Sequence, residues 1–78
     1  MKNTKKMQHV TFELSNEFIE LNQLLKLAGL CSSGGAGKML VASGVVTVDD
    51  CIELRKTCKI TAGQTVRIAD VTISVVEY

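Results

Sequence analysis

The segment at residues 32–40, SSGGAGKML, is the part of the sequence whose residue types most suggest chemistry, because glycine-rich loops ending in Gly-Lys bind nucleotide phosphates. That motif, GxxxxGK[ST], requires a glycine five residues before Gly37, where this chain has Ser32. It also requires Ser or Thr after Lys38 to bind magnesium, and Met39 cannot do so. A helix, not a strand, is predicted before the segment. We therefore predict that residues 32–40 open a helix and do not bind a nucleotide.

The remaining reactive side chains form no catalytic or metal-binding set. The three cysteines, Cys31, Cys51 and Cys58, have no CxxC spacing, so reduced thiols that pack as small hydrophobic residues are expected. The single histidine, His9, has no partner that the sequence can assign. We predict no enzyme, no metal and no cofactor.

Positive charge is concentrated in the middle of the chain. Net charge is only +1, but residues 26–67 carry six cations against three carboxylates: Lys26, Lys38, Arg55, Lys56, Lys59 and Arg67. Only three aromatic residues occur, which argues against a surface that stacks on single-stranded bases. The cations therefore indicate recognition of phosphates and of the shape of a structured RNA. The alternative is a solvated surface with scattered cations.

Two helices are predicted to position these cations. Ser15 is a good N-cap for a helix over residues 16–28, with acidic residues in its first turns and Phe18 in the core, ending at Gly29. A second helix begins at Ser33 and ends at Gly44. The apolar positions predicted for the two are Leu21, Leu24, Leu25 and Ala28, then Ala36, Met39, Leu40 and Ser43.

Short strands with period-two alternation surround these helices. An edge strand is expected at residues 9–14, further strands at residues 45–48, 52–55, 66–68 and 72–76, and turns at residues 49–50 and 61–64. The fold class is α+β, a helix pair on a small, mostly antiparallel sheet. Residues 1–14 form a basic N-terminal tail with the possible edge strand, and residues 15–78 form a single domain.

Residues 21–68 carry a family resemblance in the pieces LLKLAG, SGGAGK, VTVDD, ELRKTCKI and AGQTV. In this order they resemble the RNA-binding domain of small-subunit ribosomal protein S-four, and specifically its small single-domain bacterial members, the YbcJ-like proteins. The resemblance implies the αL fold, in which two helices pack on a short sheet. It also implies phosphate contacts to structured RNA from Lys26, Lys38, Arg55, Lys56 and Lys59. The resemblance does not specify which RNA, and we expect one of the ribosomal or transfer class.

Two departures from the wider family predict weaker binding than in a ribosomal relative. Gly34 stands where many members have Arg after Ser, and Asp50 replaces the usual Gly at the hairpin tip. We add to the expected site the backbone N–H groups of Ser33, Gly34 and Gly35, and Arg67.

The sequence therefore predicts a non-enzymatic, monomeric, cytoplasmic and ribosome-associated RNA-binding protein without a membrane or small-molecule partner. The alternative is an assembly adaptor of the same fold, which pairs with a partner through the strand edge at residues 9–14 or the C-terminal strand.

Overall fold

Two helices pack on a mixed sheet in the computed structural model, which describes residues 8–78, so the predicted α+β class is confirmed. A second, two-stranded sheet lies beside the main one. The helices are α1, Leu21–Leu27, and α2, Gly34–Ala42. The strands are β1, Gln8–Leu14; β2, Ile19–Glu20; β3, Val46–Val48; β4, Cys51–Ile52; β5, Lys59–Ile60; β6, Thr65–Ile68; and β7, Val71–Glu77.

The main sheet has the strand order β1-β7-β6-β3-β4. Its first pair, β1 with β7, is parallel, and the other three pairs are antiparallel. The predicted turn between β3 and β4 is confirmed, since Asp49 and Asp50 both have positive φ, 51° and 72°. Two consecutive residues with positive φ give the primed turn whose twist matches that of a two-residue hairpin.

Strand alternation divides the sheet into a core face and an outer face. Side chains such as Val46, Val66 and Ile73 are fully buried. Thr47, which follows Val46 on β3, and Arg67, which follows Val66 on β6, point the other way. The helices cover only the core face, where they contribute Leu21, Leu24, Leu25 and Val41 to the hydrophobic core. The leucine positions predicted for α1 are thus confirmed.

The predicted beginning of the first helix is wrong. Ser15 was expected to cap a helix from residue 16, but α1 begins at Leu21, and its first turn holds no acidic residue. Residues 19–20 instead pair with β5, and Phe18 is 38% exposed rather than in the core. Strand pairing and the contacts of α1 with the 55–58 loop prevail over the local capping signal.

The second helix has the predicted ends but a partly different buried face. Ser33 caps its N-terminus and Gly44 follows its C-terminus with φ +81°, as expected. Its buried residues are Gly37 and Val41, while Met39, predicted to be apolar contact, is 75% exposed. Of the predicted positions, Leu40 packs against the core and Ala36 is half-buried, so the predicted face is right in part; a glycine carries no hydrophobic signal, and the pattern therefore missed Gly37.

The strand edges differ in part from expectation. The strand predicted at residues 9–14 is an edge strand, β1, whereas the C-terminal strand β7 is bonded on both sides and has no free edge. The strand predicted over residues 52–55 is wrong beyond Ile52, because the chain then leaves the sheet as a loop.

Neither described helix is long and apolar enough to cross a membrane. The basic tail falls on residues 1–7, outside the described residues, and the domain boundary at residue 14 stays a prediction.

Candidate nucleic-acid interface

The basic loop at residues 55–58 is attached to the N-terminus of α1. The N–H of Leu21 donates to the Cys58 carbonyl at 2.8 Å, and the N–H of Asn22 donates to the Lys56 carbonyl at 3.1 Å. These carbonyls satisfy N–H groups that a side-chain cap usually satisfies, and Glu20 at the N-cap makes no such bond. The loop cations are therefore held beside the helix pair.

The two helices approach each other at the backbone. A Cβ atom built on Gly37 would lie 2.5 Å from the Asn22 carbonyl oxygen, a distance that side chains do not adopt. At Gly34 it would lie 2.6 Å from Nε2 of Gln23, the mobile end of a side chain. The Asn22 side chain, 2% exposed, donates from Nδ2 to the Gly34 carbonyl at 3.4 Å. Gly37 thus fixes the distance between α1 and α2.

The N-terminus of α2 presents free N–H groups. Oγ of Ser33 accepts from the N–H of Ala36 at 3.1 Å, and the Ser33 carbonyl accepts from the N–H of Gly37 at 3.0 Å. Within residues 8–78, no hydrogen bond uses the N–H of Gly34 or Gly35. A Cβ at Gly35 would meet only Oγ of Ser33, at 3.9 Å, so this end of the helix is open to an anion.

Lys26 and Lys38 flank the helix contact. Each lies four residues after a residue of that contact, Asn22 on α1 and Gly34 on α2, and residues four apart share a helix face. Both lysines are exposed. Lys26 also lies in the last turn of α1, where a cation stabilises the helix dipole.

Glu53 holds Arg55 in one orientation. The Nε and Nη2 groups of Arg55 donate to the two carboxylate oxygens of Glu53 at 2.9 and 3.1 Å, and the Arg55 backbone N–H adds a third bond at 2.9 Å. These hydrogen bonds lower the pKa of the Glu53 carboxyl from 4.5 to about 2, and they raise the pKa of Arg55. The charge of Arg55 is therefore largely matched by Glu53, while its side chain stays 77% exposed.

The low pKa of Glu53 makes a pH-dependent prediction. Because the folded pKa is depressed, the pair stabilises the fold above about pH 4.5, and this contribution is lost as pH falls toward 2. A carbon-detected NMR titration should give a Glu53 midpoint near pH 2, and Arg55→Ala should return it toward 4.5. A wild-type midpoint near 4.5 would contradict the pairing.

Lys56 in the loop and Lys59, the first residue of β5 after it, differ in their surroundings. Nζ of Lys59 lies 4.8 Å from the centre of the Phe18 ring, a cation–π contact on the surface. Lys59 also lines an open depression with Arg55, Thr57 and Cys58. Lys56 is exposed, and no ion pair involves it within the described part of the chain. It is the loop cation whose charge is best available to a ligand.

Arg67 lies apart from the helix pair. Its side chain is on the outer face of the sheet, where Nη1 is 3.7 Å from Oδ1 of Asp50. Both side chains are more than half exposed, so the pair is weak. The structure thus brings the loop cations to the helices and separates Arg67 from them.

The cysteines show no sign of reactivity. Cys31 and Cys58 are half-buried against the core as predicted, but Cys51 is exposed, which the packing prediction missed. Burial and then the charge of Glu53 raise the pKa of the Cys58 thiol, which keeps it protonated. Among residues 8–78, no three His, Cys, Asp or Glu side chains lie close enough to hold a metal ion.

Sequence reasoning missed Asn22 and Glu53. Asn22 reads as a polar position on a helix, yet it is buried between the helices, with Oδ1 unpaired in the described structure. Glu53 stands two residues before Arg55, a spacing that could have suggested the pair in an extended segment, where such side chains share a side.

Known proteins match this chain in sequence. The family model described as S4 domain matches residues 12–76. The Escherichia coli K12 protein named "Putative RNA-binding protein YbcJ" is 48% identical over 67 residues, which are 85% of this chain and 96% of that protein. The Shigella flexneri protein named "Uncharacterized protein YbcJ" matches with the same identity and coverage.

A solved structure also matches. The solution structure of YbcJ from E. coli, described as having an αL motif involved in RNA binding, superimposes with a TM-score of 0.64 at 39% identity. The match covers 97% of this chain and 95% of that one. The resemblance and the αL fold predicted from residues 21–68 are confirmed.

Proposed function

The chain belongs to the S4 domain family, and on that basis we propose that it binds structured RNA, through phosphate contacts from α1, α2 and the 55–58 loop. The proposal includes no catalytic step, and its relatives in E. coli are described by RNA binding alone.

One observation carries the proposal. The carbonyls of Lys56 and Cys58 hydrogen-bond to the first N–H groups of α1, and the Asn22 side chain at that end of α1 donates to the Gly34 carbonyl at the N-terminus of α2. The exposed basic loop and the α2 N-terminus therefore share one neighbour, the beginning of α1. Phosphate binding needs both features, since cations supply affinity and oriented N–H groups position the anion. The attachment also satisfies the first N–H groups of α1, so what favours a binding surface over scattered cations is that the attached loop is both basic and exposed.

The proposed contacts differ in strength. Lys26, Lys38 and Lys56 supply charges that form no ion pair among residues 8–78, and the N–H groups of Gly34 and Gly35 supply donors at the α2 N-terminus. The remaining contacts contribute less: Arg55 is matched by Glu53, Lys59 lies over Phe18, Ser33 uses its hydroxyl as a cap, and Arg67 faces Asp50 on the outer face.

The RNA class that we propose is ribosomal or transfer RNA. The few aromatic side chains do not provide a row of stacking rings, so recognition of paired, folded RNA by shape and phosphates fits the surface better than reading of single-stranded bases. Crosslinking in cells followed by sequencing of the bound RNA shows whether ribosomal or transfer RNA is bound.

The test of this function is the salt dependence of RNA affinity. We expect fluorescence anisotropy with a folded RNA to show that Lys56→Ala reduces the slope of log K against log salt by about 0.7–0.9, the value for one lost phosphate contact. Arg55→Ala should change the slope less, because Glu53 already matches its charge.

These two variants are controls for each other, since both remove a cation from one loop. Failure of the wild-type protein to bind folded RNA at low salt would overturn the proposed function. A slope unchanged by Lys56→Ala would overturn the placement of the loop in the interface.

A further inference from the structure

The outer edge of β1 is an unprotected strand edge. Gln8–Leu14 pairs with β7 in unbroken register over seven residues, and no other described strand lies on its second side. Edge strands are usually protected by charged residues, above all lysine, by proline, by a bulge or by short length, and of these the sequence QHVTFEL has a single carboxylate, Glu13, near its end. The opposite edge strand, β4, is only two residues long. The β1 edge is therefore the place where this fold can accept another strand.

The backbone groups on this edge can be assigned. The N–H of Gln8 donates to the Asp70 carbonyl and the Leu14 carbonyl accepts from Tyr78, so even-numbered residues of β1 face β7. Because bonding alternates along a strand, the N–H and C=O groups of residues 9, 11 and 13 point outward.

We propose that the β1 edge pairs with β1 of a second copy of this chain, antiparallel, about a two-fold axis at Thr11. In this register Thr11 faces Thr11 of the second copy, and residues 9 and 13 face each other. All three positions are those whose backbone groups point outward, so they form three hydrogen-bonded pairs with about six bonds in total. Moving the register by two residues leaves only about four.

Side chains favour the same register. His9 lies opposite Glu13 of the second copy, twice across the axis. Because Nε2 of His9 is hydrogen-bonded to Oγ of Ser74 at 2.8 Å within the single chain, Nδ1 is the ring nitrogen left for that carboxylate. Val10 lies opposite Phe12 at the positions where side chains are closest, on the core face. Both are only half-buried in the single chain and would be covered by the second copy.

The two-fold register also keeps like faces of the two strands together. The charged and polar pair falls on the outer face, where His9, Thr11 and Glu13 are exposed, and the apolar pair falls on the core face. A partner of another sequence would need to reproduce both patterns, whereas a second copy supplies them by symmetry.

The resulting association is weak and reversible. A seven-residue strand is about 23 Å long, and edge pairing of this size falls below the roughly 1,200 Å² of a standard interface. The expectation of a monomer then holds at low concentration, and the dimer forms from about 10 µM to about 1 mM.

Sedimentation equilibrium of the full chain tests the two-fold axis. Thr11→Lys or Thr11→Glu places like charges opposite each other, so each variant alone should dissociate, whereas a mixture of the two should form the heterodimer. We expect the mixture to associate about tenfold more tightly than either variant alone. Ile52→Lys, with the same added charge on β4 at the opposite edge of the sheet, should leave the dimer intact.

Thr11→Pro is a second probe, since it removes an outward N–H and leaves the β1–β7 bonds in place. It should give a folded monomer by circular dichroism and sedimentation. The proposal is overturned if wild-type protein stays monomeric at about 1 mM, the upper end of the concentration range over which the dimer is expected to form. It is equally overturned if the Thr11→Lys and Thr11→Glu variants do not associate on mixing.

Discussion

Gly37→Ala is expected to lower the free energy of unfolding by about 2 kcal/mol, the net of overpacking and a helix-propensity gain of about 1 kcal/mol. The new methyl group would lie 2.5 Å from the backbone oxygen of Asn22, which cannot rotate away as a side chain can. The helices must then separate, and Val41 and Leu25 lose contact in the core. For a domain of this size the melting temperature should fall by about 10 °C, as measured by thermal circular dichroism.

Gly35→Ala is the matched control, two residues earlier in the same helix. Its Cβ would meet only Oγ of Ser33 at 3.9 Å, so the gain in helix propensity is not offset. We expect unchanged or raised stability, by at most about 1 kcal/mol. Equal losses in both variants would show that glycine is needed for the α2 N-terminus in general and not for the contact with Asn22.

Reversing the two helix lysines, Lys26→Glu with Lys38→Glu, is expected to weaken binding to a folded RNA on the order of 50-fold at about 0.1 M salt. Two phosphate contacts are lost, so the slope of log K against log salt should fall by about 1.4–1.8. Both side chains are exposed, so the variant should stay folded; Lys26→Glu should lower the free energy of unfolding by about 1 kcal/mol, because it puts an acid where the α1 dipole favours a cation.

Arg67→Glu is the control for this variant. It reverses the charge of a cation on the outer face of the sheet, away from the helices. Asp50 already matches the charge of Arg67 there. We expect a loss of about threefold or less, because exposed charges beyond a Debye length are screened. If Arg67→Glu weakens binding as much as the helix double variant does, RNA contacts the outer face of the sheet and the helix-pair interface is wrong.

The attenuation of Arg55 by Glu53 also bears on affinity. The sequence differs from the wider family by Gly34 and Asp50, and the structure adds that one of the loop cations is matched within the loop itself. Both point to an RNA contact that is weaker, and whose salt dependence is shallower, than the number of cations alone suggests.

Local signals determined much of this protein from sequence alone. Three leucines at helical spacing predicted the buried face of α1, Ser33 and Gly44 predicted both ends of α2, and Asp49-Asp50 predicted the hairpin turn. Each depends on residues within one turn of helix or strand, so the physical cause lies in the sequence window itself. The ordered pieces between residues 21 and 68 added the family and its αL fold.

Only the tertiary structure decided where α1 begins, which face of α2 is buried and which cations lie together. α1 begins at Leu21 because carbonyls from the 55–58 loop, far along the chain, accept its first N–H groups. Gly37 is buried because the Asn22 backbone passes within contact distance; the glycines of α2 suggest a close approach but do not identify what approaches. Arg67 is separated from the helices by strand alternation, and Arg55 is matched by Glu53 in a loop that was predicted as a strand. In each case the deciding partner is distant in sequence or has no side chain to read, so no local pattern can contain it.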